Sequence, residues 1–127
     1  HYCSRRQRQM CIRDRYGPTK EDNLKNVVIT DSVSEAVKDS DLISTDVWVS
    51  MGDEKEESKR IEAFRDYQVN EAVLDQAKSD VIFLHCLPAV RGQEISSSLL
   101  DDPRSRVWQQ AENRLHAQKG LLIELLK

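Results

Sequence analysis

The run Val81-Ile82-Phe83-Leu84-His85-Cys86-Leu87-Pro88 ends a stretch of apolar residues in an imidazole and a thiol. An imidazole can take up or give a proton near neutral pH, and a thiol is a hydrogen-bonding group that becomes a nucleophile when it ionises. Asp80 precedes the run and Pro88 closes it, and the succession of β-branched and aromatic residues predicts a strand covered on both faces, as in parallel sheets. Ligands of open α/β sheets bind beyond the carboxyl ends of the strands, which places His85 and Cys86 where chemistry is done. The competing structural reading is a small buried thiol beside a hydrogen-bonded core histidine. Spacing alone favours that second reading, so the decision rests on the rest of the chain.

The elements that must position these groups follow from the sequence in order. Val27-Val28-Ile29-Thr30 predicts a short strand, and Ser32 and Glu35 stand at capping-box spacing at the start of a helix over 33–38. Leu42 to Trp48 predicts a second strand with Asp46 near its carboxyl end, and strand-helix-strand units of this kind make parallel crossovers. Ser50-Met51-Gly52-Asp53 reads as a loop with a glycine hinge. Glu54 to Phe64 reads as a charged helix anchored by Ile61 and Phe64, with Glu56 and Arg60 paired at i,i+4. Asn70 caps a predicted helix from Glu71 to Lys78 that turns Val73, Leu74 and Ala77 inward. After the central strand, Val81 to Cys86, a loop from Ala89 to Ser98 leads to a turn at Leu99-Leu100. Val107-Trp108 then predicts a last short strand, with a long helix over 109–127. On that helix Ala111, Leu115, Leu122 and Leu126 form an apolar stripe bordered by Arg114 and Gln118, and an arginine beside a buried stripe is expected to be paired. Trp48, Phe83 and Trp108 are expected in the core, and His116 on the surface.

Composition bounds the classes available. The 127 residues suit one domain, and no apolar run approaches the eighteen or so that a membrane span requires. Three cysteines without a C-x-x-C pair (Cys3, Cys11 and Cys86) suggest neither a disulfide framework nor a zinc site. With no apolar signal segment near the start, the expectation is a cytoplasmic protein. Residues 1–15 hold five arginines and one aspartate, a segment of charge +4 in a chain of net charge −3. The remainder is therefore acidic and offers no basic face on which nucleic acid could continue. Residues 1–15 lack helical or strand periodicity and are read as a basic tail foreign to the fold, leaving 16–127 as the folding unit.

Three separated pieces thus point at one sheet edge: Asp46 with Ser50-Met51-Gly52, His85-Cys86-Leu87-Pro88, and Glu112-Asn113-Arg114. Together DVWVSMG, YQVN, FLHCLPAVRG and AENRLHAQK resemble ornithine carbamoyltransferases in order and spacing, over roughly residues 23–127. The resemblance implies an α/β fold, a Rossmann-like parallel sheet flanked by helices, here part of the second, ornithine-binding domain of the aspartate/ornithine carbamoyltransferase fold. The family's carbamoyl phosphate signatures, Ser-Thr-Arg-Thr and His-Pro-x-Gln, do not occur, nor does the asparagine-bearing opening of the second domain. Val90 stands where many members have histidine and Asp53 where they have glutamine. The serine-methionine-glycine loop distinguishes ornithine-using members from those that use putrescine or aspartate.

The reaction so implied is attack of the neutral side-chain amine of L-ornithine on the carbonyl carbon of carbamoyl phosphate, giving citrulline and phosphate through a tetrahedral intermediate without metal or cofactor. That amine is protonated at neutral pH, as a lysine amine is, so the site must favour and orient its neutral form. The resemblance assigns Asp46 to the substrate α-amino group and Cys86 to a hydrogen-bonded link between Asp46 and the attacking amine. His85 and Arg114 would polarise the carbamoyl oxygen, the carbonyl of Leu87 would accept from the transferred amino group, and Ser50 and Met51 would grip the amino-acid head group. The Leu87-Pro88 bond is expected to be cis. The family's assembly is a homotrimer whose sites are completed across subunits, chiefly through the first domain.

Three other readings compete: a non-catalytic remnant or amino-acid-binding half-domain, a carbamoyltransferase for another amine such as putrescine, and a Cys-His hydrolase built on Cys86 and His85. The hydrolase is weak, because neighbours on a strand point to opposite faces. Absence of the first domain would leave a sheet edge and an apolar face uncovered, which predicts marginal stability and self-association. Sedimentation and denaturant unfolding of the isolated chain should show associated species, and a monomer with one cooperative transition would contradict that reading.

Overall fold

The computed structural model of the chain describes residues 30–49 and 57–127. The predicted strand over 27–30 lies outside the described residues except for Thr30, and the loop over 50–53 with the start of the charged helix lies outside them entirely. Helix α1, Val33–Val37, begins where Ser32 accepts a hydrogen bond from the Glu35 amide at 3.3 Å. The expected box is only half made, since the Glu35 carboxylate accepts instead from the Thr30 hydroxyl at 2.5 Å. Asp39, at φ 57°, turns the chain into β1, Leu42–Thr45. Helix α2, Glu57–Phe64, runs into a 3-10 turn at Arg65–Tyr67, and α3 follows at Glu71–Leu74.

Helix α3 starts on Asn70, whose side chain accepts from the Val73 amide at 3.0 Å, as its N-cap type predicts. It is shorter than the expected span to Lys78. The Gln76 and Ala77 amides bond to carbonyls three residues back, and the Lys78 amide donates to Ser40 O at 3.3 Å, so the last turn tightens and then ends. Strand β2, Ile82–His85, pairs in parallel with β1 in the register Leu42↔Ile82, Ile43↔Phe83, Ser44↔Leu84 and Thr45↔His85.

The far side of β2 is also occupied. The Phe83 amide donates to Arg104 O and the Arg106 amide to Phe83 O, each at 2.9 Å, making a parallel bridge between Phe83 and Ser105. The predicted final strand at Val107-Trp108 is therefore displaced. The strand-like pairing is made by Arg104–Arg106, and Val107 instead opens helix α4, Val107–Leu125. Arg104 anchors this passage through both carboxylate oxygens of Asp102 and through Asp75 at 2.7 Å. The guanidinium holds the Asp102 carboxyl below the usual carboxylate range, chiefly by donating hydrogen bonds.

The core gathers Val37, Ile43, Val69, Leu74, Val81, Phe83, Ile95, Leu99 and Val107 between the strands and the short helices. Trp48 is buried and meets Phe64 with ring centroids 6.2 Å apart. Trp108, expected in the core, is 57% exposed. The stripe of α4 is likewise uncovered, with Leu115, Leu122 and Leu126 exposed, because only Val107 of that helix is buried among the described residues. Arg114 accordingly borders no buried stripe and is exposed.

Gly92 adopts φ 88° in the turn between β2 and the bridge at Ile95. Nothing lies within 4 Å of a Cβ built there, so Gly92→Ala tests backbone conformation without a clash. The left-handed region costs an L-residue about 1 kcal/mol or slightly more. The expected result is a lower urea midpoint than the parent chain's at the same protein concentration; an unshifted midpoint would show that the turn relaxes freely.

Candidate active site at the carboxyl edge of the sheet

Parallel pairing fixes the geometry of the site. The last matched pair is Thr45 with His85, so the next residues, Asp46 and Cys86, leave adjacent strands side by side at their carboxyl ends. The Asp46 carboxylate accepts from the Val47 amide at 2.7 Å and neighbours the Cys86 thiol. Both residues are exposed at the edge. Partial desolvation of the thiol, then its hydrogen bond to Asp46 and the charge of that carboxylate, push the Cys86 pKa up to about 11. Near neutral pH this cysteine is therefore a protonated hydrogen-bonding group, the opposite of an activated nucleophile.

His85 faces the other way. Its ring is wholly buried, with Nε2 3.3 Å from Oε1 of Glu94, which is also wholly buried. Strand alternation turns the imidazole, expected to polarise a substrate oxygen, into the interior while Cys86 meets solvent. It also removes the Cys-His hydrolase, since the two side chains lie in separate environments. The His85 amide donates to Gln110 Oε1 of α4 at 2.9 Å, which ties the long helix to the end of β2.

Leu87-Pro88 is cis, as expected, and Leu87 has a positive φ of 22°. The loop beyond returns upon itself. The Val90 amide donates to Glu94 Oε1 at 2.5 Å, and the Gly92 amide to Ile95 O at 2.8 Å. Arg91 donates to the Ser97 carbonyl and pairs with Asp101 at 3.0 Å. Glu71 accepts from Ser96 at 2.9 Å and Ser98 at 2.6 Å, and the Ser98 bond above all lowers its pKa.

The structure thus brings Asp46 and Cys86 together. Arg114, one turn beyond Gln110 on α4, makes no hydrogen bond or ion pair among the described residues. Ser50 and Met51 lie outside the described residues. Sequence reasoning missed Glu94 and Gln110; the signal for Glu94 was a carboxylate immediately before the apolar Ile95, in a turn marked by Gly92. An open cleft of about 770 Å³ lies beside Trp48, Ile61, Arg65, Gln68 and Gly92. It is lined by neither Asp46 nor Cys86 and is separate from this edge. Among the described residues no three His, Cys, Asp or Glu side chains are grouped as metal ligands, and no helix is long and apolar enough to cross a membrane.

The parallel pairing, with a carboxylate and a protonated thiol side by side at the carboxyl edge, defines an α/β protein with a polar sheet edge. Residues 8–125 match the family described as aspartate/ornithine carbamoyltransferase, Asp/Orn binding domain. The chain belongs to the aspartate/ornithine carbamoyltransferase family. Among similar proteins, the ornithine carbamoyltransferase of Psychrobacter cryohalolentis is 60% identical over 101 residues, covering 80% of this chain and 33% of the relative. The anabolic ornithine carbamoyltransferase of Pseudomonas aeruginosa is 67% identical over 93 residues, 73% of this chain and 30% of the relative. Among solved structures, the ornithine carbamoyltransferase of Thermus thermophilus aligns with TM-score 0.71 and 40% identity over 80% of this chain and 33% of its own. That of Pyrococcus furiosus aligns with TM-score 0.68 and 52% identity over 74% and 30%. The chain spans about a third of the length of the curated relatives it matches.

The raised thiol pKa has a direct readout. At pH 8 alkylation of Cys86, followed on its own peptide by mass spectrometry, should be on the order of tenfold slower than for an ordinary thiol, because the smaller thiolate fraction outweighs its greater intrinsic nucleophilicity. The rate should climb until the pH passes about 11. Asp46→Asn removes the negative charge that opposes ionisation, so the midpoint should fall and alkylation at pH 8 accelerate. An unchanged midpoint in that variant would show that Asp46 does not hold the thiol.

Proposed function

We propose that this chain supplies the ornithine-binding part of an ornithine carbamoyltransferase, which moves the carbamoyl group of carbamoyl phosphate to the side-chain amine of L-ornithine to give L-citrulline and phosphate. The observation that carries this reading is the placement of Asp46 and Cys86 side by side at the ends of adjacent parallel strands. An exposed carboxylate suits the cationic α-amino group of an amino acid. A thiol that stays protonated can link that carboxylate to a second amine without competing as a nucleophile.

In the proposed reaction the neutral amine nitrogen forms a bond to the carbonyl carbon, negative charge gathers on the carbamoyl oxygen, and the bond to phosphate then breaks as the nitrogen loses its proton. Arg114 is proposed to meet the charge on that oxygen. The Leu87 carbonyl would accept from the transferred amino group, and Ser50 and Met51 would hold the head group. His85, buried against Glu94, is given no contact with substrate. The proposal includes a carbamoyl phosphate-binding domain completing the site, a cytoplasmic setting and the family's trimer. It also takes residues 16–127 as the ornithine-binding portion and 1–15 as a tail outside it.

A second reading, a remnant that keeps the edge without turnover, is favoured by the chain's spanning only a third of its relatives' length. Citrulline formation decides between them. The chain should be assayed alone and as a graft in which its matched residues replace the corresponding stretch of the P. aeruginosa enzyme. Activity is expected from the graft and not from the chain alone, with a loss of roughly 100-fold or more in Cys86→Ala. A folded graft that forms no citrulline would establish the remnant.

A further inference from the structure

We propose that Glu94 is a positioning residue which, paired with His85 in the interior, sets the loop that carries the reactive edge. This rests on the carbamoyl-transfer reading above and deepens it. A carboxylate at 0% exposure is retained in a fold only when donors compensate for its lost hydration. Glu94 finds one: Oε1 accepts from the Val90 amide at 2.5 Å, and His85 Nε2 lies 3.3 Å from the same oxygen without a hydrogen bond, while Oε2 takes no partner. The carboxylate therefore spans from the last residue of β2 to the end of the four residues that follow Cys86.

The anchor is firmer than the segment it holds. The Glu94 carbonyl accepts from the Val69 amide at 2.9 Å and the Ser96 amide returns a bond to Val69 O at 3.0 Å, which pins Glu94 to the segment leading into α3. The loop 86–90 has one end fixed where the His85 amide meets Gln110 and the other where the Val90 amide meets Glu94. Between those fixed points lie the Cys86 thiol and the Leu87 carbonyl, two of the groups the proposed reaction uses. Two apolar side chains of similar shape could fill the same interior space at little or no cost in stability, because replacing both members of a buried polar pair is often neutral. What such a replacement cannot reproduce is the acceptor for the Val90 amide.

The test uses the graft described above, with steady-state kinetics in both substrates. Glu94→Gln keeps an acceptor oxygen at Val90 and should stay within about threefold of the parent graft. The double variant His85→Phe with Glu94→Leu fills the space without the acceptor. It should fold, with KM for ornithine raised at least tenfold or kcat lowered at least tenfold, KM for carbamoyl phosphate unchanged, and faster alkylation of Cys86. A double variant with parental ornithine kinetics and Cys86 reactivity would overturn the inference. So would unfolding of Glu94→Gln, which would mean that the carboxylate holds the core and not the loop. A parent graft that makes no citrulline is a different failure, that of the carbamoyl-transfer reading itself.

Discussion

The parallel hydrogen bonding of Leu42–Thr45 to Ile82–His85 is the constraint on which the site depends. Two short strands from distant parts of the sequence end together, and the residue after each carries a group able to handle protons. An antiparallel pairing would send Asp46 and Cys86 to opposite ends of the sheet. A slip of one residue would keep them at one end but separate them and exchange the faces of His85 and Cys86. The bonds that Phe83 makes with Arg104 and Arg106 hold β2 from its other side, so the register is secured across the strand and not by one neighbour.

Alternation along β2 then divides two adjacent side chains into different chemical settings. His85 enters the interior with a buried carboxylate for company, while Cys86 keeps contact with water and with Asp46. Desolvation and the neighbouring negative charge act in the same direction on the thiol, and both oppose ionisation. A histidine next to a cysteine in sequence suggests nucleophilic chemistry; their separation in space, and the upward shift of the thiol, give the pair another meaning.

Much of this was legible in the sequence where local chemistry decides the outcome. The Asn70 cap, the strand preceding Cys86 and the arrival of Asp46 and Cys86 at one sheet edge follow from residue type, apolar runs and the preference of α/β units for parallel pairing. The misreadings occur where tertiary contacts decide. Val107-Trp108 looks like a strand because it is β-branched and aromatic, yet Arg104–Arg106 claims the sheet edge first and leaves those residues to the helix. The apolar stripe on α4 was visible as a period, but a period states which side prefers burial and not whether anything covers it. Glu94 escaped notice because an acidic residue in a polar turn resembles solvated surface until its backbone partners bring it inside.

Helix α4 touches the rest of the described structure near its beginning, through buried Val107 and through Gln110, and then projects with its apolar side chains exposed. At 1.5 Å per residue Arg114 stands about 10 Å along the axis from Val107. The helix is therefore a lever whose fulcrum is the end of β2. A tilt of about 10° at that fulcrum carries the arginine sideways by about 2 Å, the difference between a direct hydrogen bond and one through water. Whatever surface packs along the exposed face thus sets where the Arg114 guanidinium stands relative to the end of β2 without touching that strand itself.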